Sequence, residues 1–166
     1  MTLGKLGYFS LFFSLIFSLL ILFIIIRILK NKNPEINQNV YYFSFLQLFL
    51  VSLSFLCLVL SFVQSDFSLI SVYENSHTDK PLFYKISGTW GNHEGSLLLW
   101  LIVLVIFSFL FLIKTKNVPK NYKLHTIGFQ NIIIIGFLSF SIFTSNPFAE
   151  LLPVPEQGLG LNPILQ

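Results

Sequence analysis

Four apolar runs, each bounded by polar or turn-forming residues, set the pattern of the chain. They cover residues 6–26, 40–63, 97–113 and 127–143. A helix crossing a bilayer needs about 20 mainly apolar residues, so each run predicts a membrane span, the last two extended by interfacial residues. Arg27 and Lys30 close the first run. Tyr41 and Tyr42 open the second at the level where aromatic rings settle, and Trp100 does so in the third, which Lys114 and Lys116 close. Lys123 and Asn146-Pro147 bound the fourth. The first run is too long for the apolar core of a signal peptide, and no small-residue cleavage site follows it, so it is expected to be retained.

Polar residues inside the runs are themselves periodic. Ser10, Ser14 and Ser18 recur every four residues with Gly7 one turn earlier, and Gln47, Ser54 and Ser61 every seven. Both sets predict faces for close helix packing. No Asp, Glu, His or Lys lies deep in a run, which argues against an ion or proton relay and so against a small transporter. Cys57, in mid-span, reads as packing.

Composition excludes a soluble enzyme. Hydrophobic residues make up 54% and charged residues 10% of the 166 positions, with a mean hydropathy of +0.77. Soluble domains carry about 25% charged residues. One cysteine allows neither an internal disulfide nor a zinc cluster. The net charge of +3 reads as topology before binding of anionic lipid head groups or nucleic acid by the basic loops. Arg27, Lys30, Lys32, Lys114, Lys116, Lys120 and Lys123 flank one side, against Lys5, Lys80 and Lys85 on the other. Basic residues mark the inner side, so both termini and the long loop 64–95 are expected outside. The expected fold is an all-α integral membrane protein with about four spans and one long outer loop. It divides into a two-helix hairpin with its loop, 1–87, and a second part, 88–166.

The outer segments carry most of the acidic residues, together with His77, His93 and Trp90. A loop this long without clear secondary structure is often functional. It ends in Trp90-Gly91-Asn92-His93-Glu94-Gly95-Ser96. One reading is a helix start, with Asn92 or Ser96 as cap and Glu94 at the positive helix end. The other is a platform of flat apolar rings, Trp90 and Trp100, with His93 as a nitrogen ligand. Neither the zinc-protease spacing nor a Ser-His-Asp set is present, so neither catalytic nor metal residues are assigned. His77 is expected to be solvated and His125 interfacial. After the fourth span, Pro153, Pro155 and Pro163 forbid a regular helix, and the tail reads as a connector.

The segment 90–96 followed by Trp100 resembles the WG-x-HEGS-x-x-x-W signature of the CcmF/NrfE family, haem lyase components of cytochrome c maturation. The resemblance continues through Ser65-Asp66-Phe67, Asn75-Ser76-His77, residues 81–88, residues 144–148 and Leu161-Asn162-Pro163-Ile164-Leu165-Gln166. It implies a protein of the bacterial inner membrane, or the mitochondrial inner membrane if organellar. It also implies that the chain is an N-terminal fragment of a longer protein, with 88–166 the start of a cytochrome c assembly domain. Such a protein takes haem from a carrier protein and attaches it to the thiols of apocytochrome c, with a thiol-handling subunit as partner. By this resemblance Trp90, Gly91, His93, Glu94, Gly95, Ser96 and Trp100 are candidates for a haem vestibule or its scaffold. The family's haem-ligating histidines follow the segment 161–166, so this chain alone is expected to bind no haem stably and to be inactive. The alternative is a membrane scaffold subunit that does not contact haem.

Overall fold

The computed structural model describes residues 2–30, 35–115 and 117–160. Four long helices, α1 (Leu3–Leu29), α2 (Gln38–Gln64), α5 (His93–Lys114) and α6 (Lys120–Phe143), are joined by α3 (Ile70–Asn75) and α4 (Leu82–Gly88) in the long loop. All four long helices are long and apolar enough to cross a membrane. A helix of 27 residues is about 40 Å long, more than the ~30 Å hydrocarbon layer, so the polar ends project beyond it.

The helices close a ring: α1 lies beside α2 and α6, and α5 beside the same two. Serines share the interior with Leu, Ile and Val, while many large apolar rings face outward, where a soluble bundle would place charge. Ser10, Ser14, Ser18, Ser54 and Ser61 are buried, while Phe13, Phe23, Phe45, Phe107 and Phe129 are exposed. The serine faces predicted for α1 and α2 are therefore the packing faces. Serine permits close backbone approach, and two of these hydroxyls return to their own helix: Ser10 Oγ donates to the Leu6 carbonyl at 2.8 Å and Ser18 Oγ to that of Ser14 at 2.9 Å.

One polar cluster spans three helices at mid-bundle. Gln47 Nε2 on α2 donates to Ser18 Oγ on α1 at 2.6 Å and to Asn131 Oδ1 on α6 at 3.2 Å. Asn131 Nδ2 donates to the Ser18 carbonyl at 2.6 Å. Gln47 belonged to the predicted α2 face. Sequence reasoning missed Asn131, although an amide inside the apolar run 127–143 is the available signal.

One expectation is met and two are corrected in detail. The third and fourth helices extend beyond their apolar runs as expected, beginning at His93 and Lys120 rather than at 97 and 127, because backbone hydrogen bonding continues through polar residues that hydropathy does not count. The long loop contains two short helices rather than irregular chain alone. The tail is not an open connector over its described part. Its backbone folds onto the loop, with Ile70 N donating to the Ala149 carbonyl at 2.9 Å, Leu151 N to that of Ser68 at 2.7 Å and Leu159 N to that of Tyr73 at 2.8 Å. Extended chain has backbone groups without helical partners, and pairing these two segments satisfies them. The segment 161–166 lies outside the described residues.

The alternating helix directions bring the start of α1, the loop, the start of α5 and the tail to one end of the bundle. Asp66, Glu74, Asp79, Glu94, Glu150 and Glu156 all lie there, so it is the acid-rich end. Arg27, Lys30, Lys114, Lys120 and Lys123 lie at the opposite, basic end.

Candidate functional site

The candidate segment closes the acid-rich end of α5. Asn92 is the N-cap: its Oδ1 accepts the Gly95 N–H at 2.6 Å, and its Nδ2 donates to the Gly88 carbonyl at 3.2 Å. One amide thus satisfies an orphan helix donor and ties the helix start to the end of α4. Ser96 is not the cap. Its hydroxyl donates to the His93 carbonyl at 2.9 Å. Gly95 is buried, and a Cβ there would collide with the Thr89 carbonyl, so the turn closes only around glycine. Glu94 occupies the first turn of α5, where the helix dipole favours a carboxylate.

His93 joins the segment to the tail. Its Nδ1 lies 2.9 Å from Ser145 Oγ, and its ring meets the edge of Phe140 at 6.3 Å between centroids. Ser145 belongs to the turn after α6, where Asn146 Oδ1 accepts the Phe148 N–H at 2.9 Å. Phe148 is buried against Gly7, whose missing side chain leaves room for the ring. Residues 144–148 and 90–96, separated by two membrane helices in sequence, thus form one end cap. One turn below His93, an apolar groove of about 400 Å³ runs between α5 and α6, lined by Leu97, Ile133, Gly136, Phe137 and Phe140.

The seven sequence candidates are brought to one end of the bundle but not around one cavity. Gly95 shapes the turn, Gly91 lies in it with room for a side chain, Ser96 and Glu94 serve the helix start, and His93 faces Ser145 and Phe140. Trp90 and Trp100 are 42% and 62% exposed, positioned as outward rings rather than as a stacked pair around His93. Sequence reasoning missed Ser145 and Phe140, which only the packing of α6 beside α5 places near His93. His77 is half-buried, with Nδ1 3.4 Å from Asp79 Oδ2, and His125 Nδ1 lies 2.8 Å from the Asn121 carbonyl at the basic end. Lys80 Nζ donates to the Asn75 carbonyl at 2.7 Å, and desolvation lowers its pKa from the usual lysine value. Among the described residues, no three His, Cys, Asp or Glu side chains converge on a metal position.

No family model matches the chain. Individual relatives do. The cytochrome c-type biogenesis protein CycK of Rhizobium meliloti is 50% identical over 117 residues, which are 70% of this chain and 17% of that protein. The cytochrome c-type biogenesis protein CcmF of Escherichia coli is 40% identical over 125 residues, 75% of this chain and 19% of that protein. Among solved structures, the cytochrome c haem lyase CcmF superposes with a TM-score of 0.80 at 23% identity, over 92% of this chain and 26% of that one, and so shares the fold. The chain thus spans about a fifth of the length of the curated relatives it matches. With four apolar helices and bacterial relatives of this kind, it is a multi-pass inner-membrane protein. It belongs, as a partial N-terminal region, to the CcmF/CycK/NrfE family of cytochrome c-type biogenesis proteins.

Proposed function

We propose that the chain is the N-terminal membrane portion of a haem lyase component, the protein that attaches haem to apocytochrome c. The observation that carries this reading is the 50% and 40% identity to two cytochrome c-type biogenesis proteins. On this reading the acid-rich end faces the outer side, where a carrier delivers haem. The partners are then the remaining part of the haem lyase, the haem carrier, and apocytochrome c with its thiol-handling subunit. Residues 1–87 act as a supporting hairpin, and 88–166 begin the assembly domain.

Trp90, Gly91, His93, Glu94, Gly95, Ser96 and Trp100 then form the shaped floor of a haem vestibule rather than its ligand set. Haem iron needs an axial ligand held in a fixed pocket. His93 is the imidazole best placed for this, with one ring nitrogen already engaged by Ser145 and the ring exposed. These residues therefore fit at most one axial contact. Their contribution to the chemistry is positioning: a closed helix start, two outward indole rings and an apolar groove beside them. Haem, when bound to the complete protein, supplies the vinyl groups that receive the cysteine thiols.

Replacing His93-Glu94 by Ala-Ala in the protein reassembled with its remaining part is expected to lower holocytochrome c yield several-fold at equal protein level. Unchanged yield would remove the segment from haem handling. One observation favours a second reading, a scaffold that never contacts haem: the segment's hydrogen bonds are spent on the helix start and on Ser145. The two readings part in the reassembled protein. Loss of yield with haem content retained supports a vestibule, and loss of the protein itself supports a scaffold.

A further inference from the structure

At the basic end a second cavity, about 610 Å³, opens beside the last turns of α1 near the entry to α2. Phe23, Ile24 and Ile28 line it together with Arg27, Lys30 and Asn37. The order along α1 is informative. Phe23 and Ile24 lie deepest, Arg27 one turn further out, and Lys30 about 10 Å beyond Phe23 at 1.5 Å per residue. The wall therefore changes from apolar to cationic along the helix, as the bilayer changes from hydrocarbon to headgroup. The Arg27 guanidinium carbon sits 5.7 Å from the centroid of the Phe23 ring, which draws the charge back toward the apolar part of the cavity. Among the described residues neither Arg27 nor Lys30 has a carboxylate partner. Glu35, the acid at this end, lies 3.3 Å from Lys120 instead. Asn37 uses Oδ1 to cap α2, leaving its NH₂ as a donor.

We propose that this cavity binds an anionic phospholipid of the surrounding bilayer. The phosphodiester lies against Arg27 and Lys30, with the planar guanidinium offering paired N–H donors to phosphate oxygens. The Asn37 amide, at the outer edge beside Lys30, donates to a headgroup oxygen beyond the phosphate. The first carbons of an acyl chain run down Phe23, Ile24 and Ile28. A free phosphate would satisfy the cations but leave the apolar half of the wall uncovered, and a zwitterionic lipid would bring its own cation against Arg27. A basic residue near a membrane surface contributes about fivefold in affinity for anionic lipid.

The test uses the whole chain in detergent, with bound lipid counted by native mass spectrometry against added phosphatidylglycerol, phosphatidylcholine or inorganic phosphate. Phosphatidylglycerol should be retained and phosphatidylcholine should not. Removing both charges, Arg27→Gln with Lys30→Gln, should weaken retention about 25-fold. The pair Lys114→Gln with Lys120→Gln removes the same charge from the same end outside the cavity, and should stay within about twofold of the parent. Ile24→Trp fills the cavity with its charges intact. It should also weaken retention, which decides the matter should the charge variant fail to fold. Equal retention of the two lipids, equal loss in both charge pairs, or displacement of the lipid by inorganic phosphate would each overturn the proposal.

Discussion

Single residues at the acid-rich end have geometric jobs that their chemistry alone does not announce. Gly95 sits where a side chain would strike the Thr89 carbonyl, a backbone atom that cannot rotate away. Gly95→Ala is expected to cost about 1–3 kcal/mol, as overpacked sites do, while Gly136→Ala, with open space around it, should be nearly neutral. Unfolding by denaturing detergent measures both, and equal behaviour of the two variants would refute the assignment. Asn92→Ala should cost about 1 kcal/mol through loss of the cap. At mid-bundle, Gln47 and Asn131 share a hydrogen bond in the low-dielectric interior. A double-mutant cycle of Gln47→Leu and Asn131→Leu should return a coupling of about 0.6 kcal/mol, and at most about 1.7. Zero coupling would mean that each amide serves Ser18 independently.

Elements were more legible in the sequence than their ends. The apolar runs located all four spans because stretches this long and this apolar have few other uses, and the serine period in α1 identified its packing face before any partner helix was known. That α6 extends beyond its apolar run was legible, but not how far. Residues 120–126 read as a loop by hydropathy, yet they continue a helix in which the alkyl stem of Lys123 is buried and its ammonium reaches the Thr115 carbonyl at 3.1 Å. The pairing of tail and loop was illegible for a different reason. It is made of backbone bonds between segments about 80 residues apart, and backbone bonds leave no residue signature. Their consequence is measurable. The amides of Ile70, Leu151 and Leu159 should exchange with solvent more slowly than that of Thr78 in the same region. Comparable exchange rates would mean that the tail does not stay docked. The joining of His93 to Ser145 belongs to this same class of contact, since nothing in either segment names the other.

At the scale of the whole molecule, the ring of helices has one polar closure at each end, of opposite character. If the basic end faces the cytoplasm, reporter fusions after Lys32 and after Ser87 should fall on opposite sides, with the Ser87 fusion outside. Both fusions on one side would discard this topology. A haem titration of the isolated chain should give no saturable, one-to-one Soret shift. Such a shift, abolished by His93→Ala, would promote His93 from floor to ligand.

The separation of charge along the bundle has a consequence in an energised membrane. Seven basic residues and one acidic residue flank one end by sequence, and six acidic and three basic the other. A transmembrane voltage, negative inside, acts on each elementary charge carried across it with about 2.3 kcal/mol per 100 mV. If the basic end faces the cytoplasm, translocation of the acid-rich loop is driven by the membrane voltage, and the same voltage holds back the basic loops. Insertion into vesicles whose potential has been collapsed should slow export of the acid-rich loop, and a potential of reversed sign should slow it further.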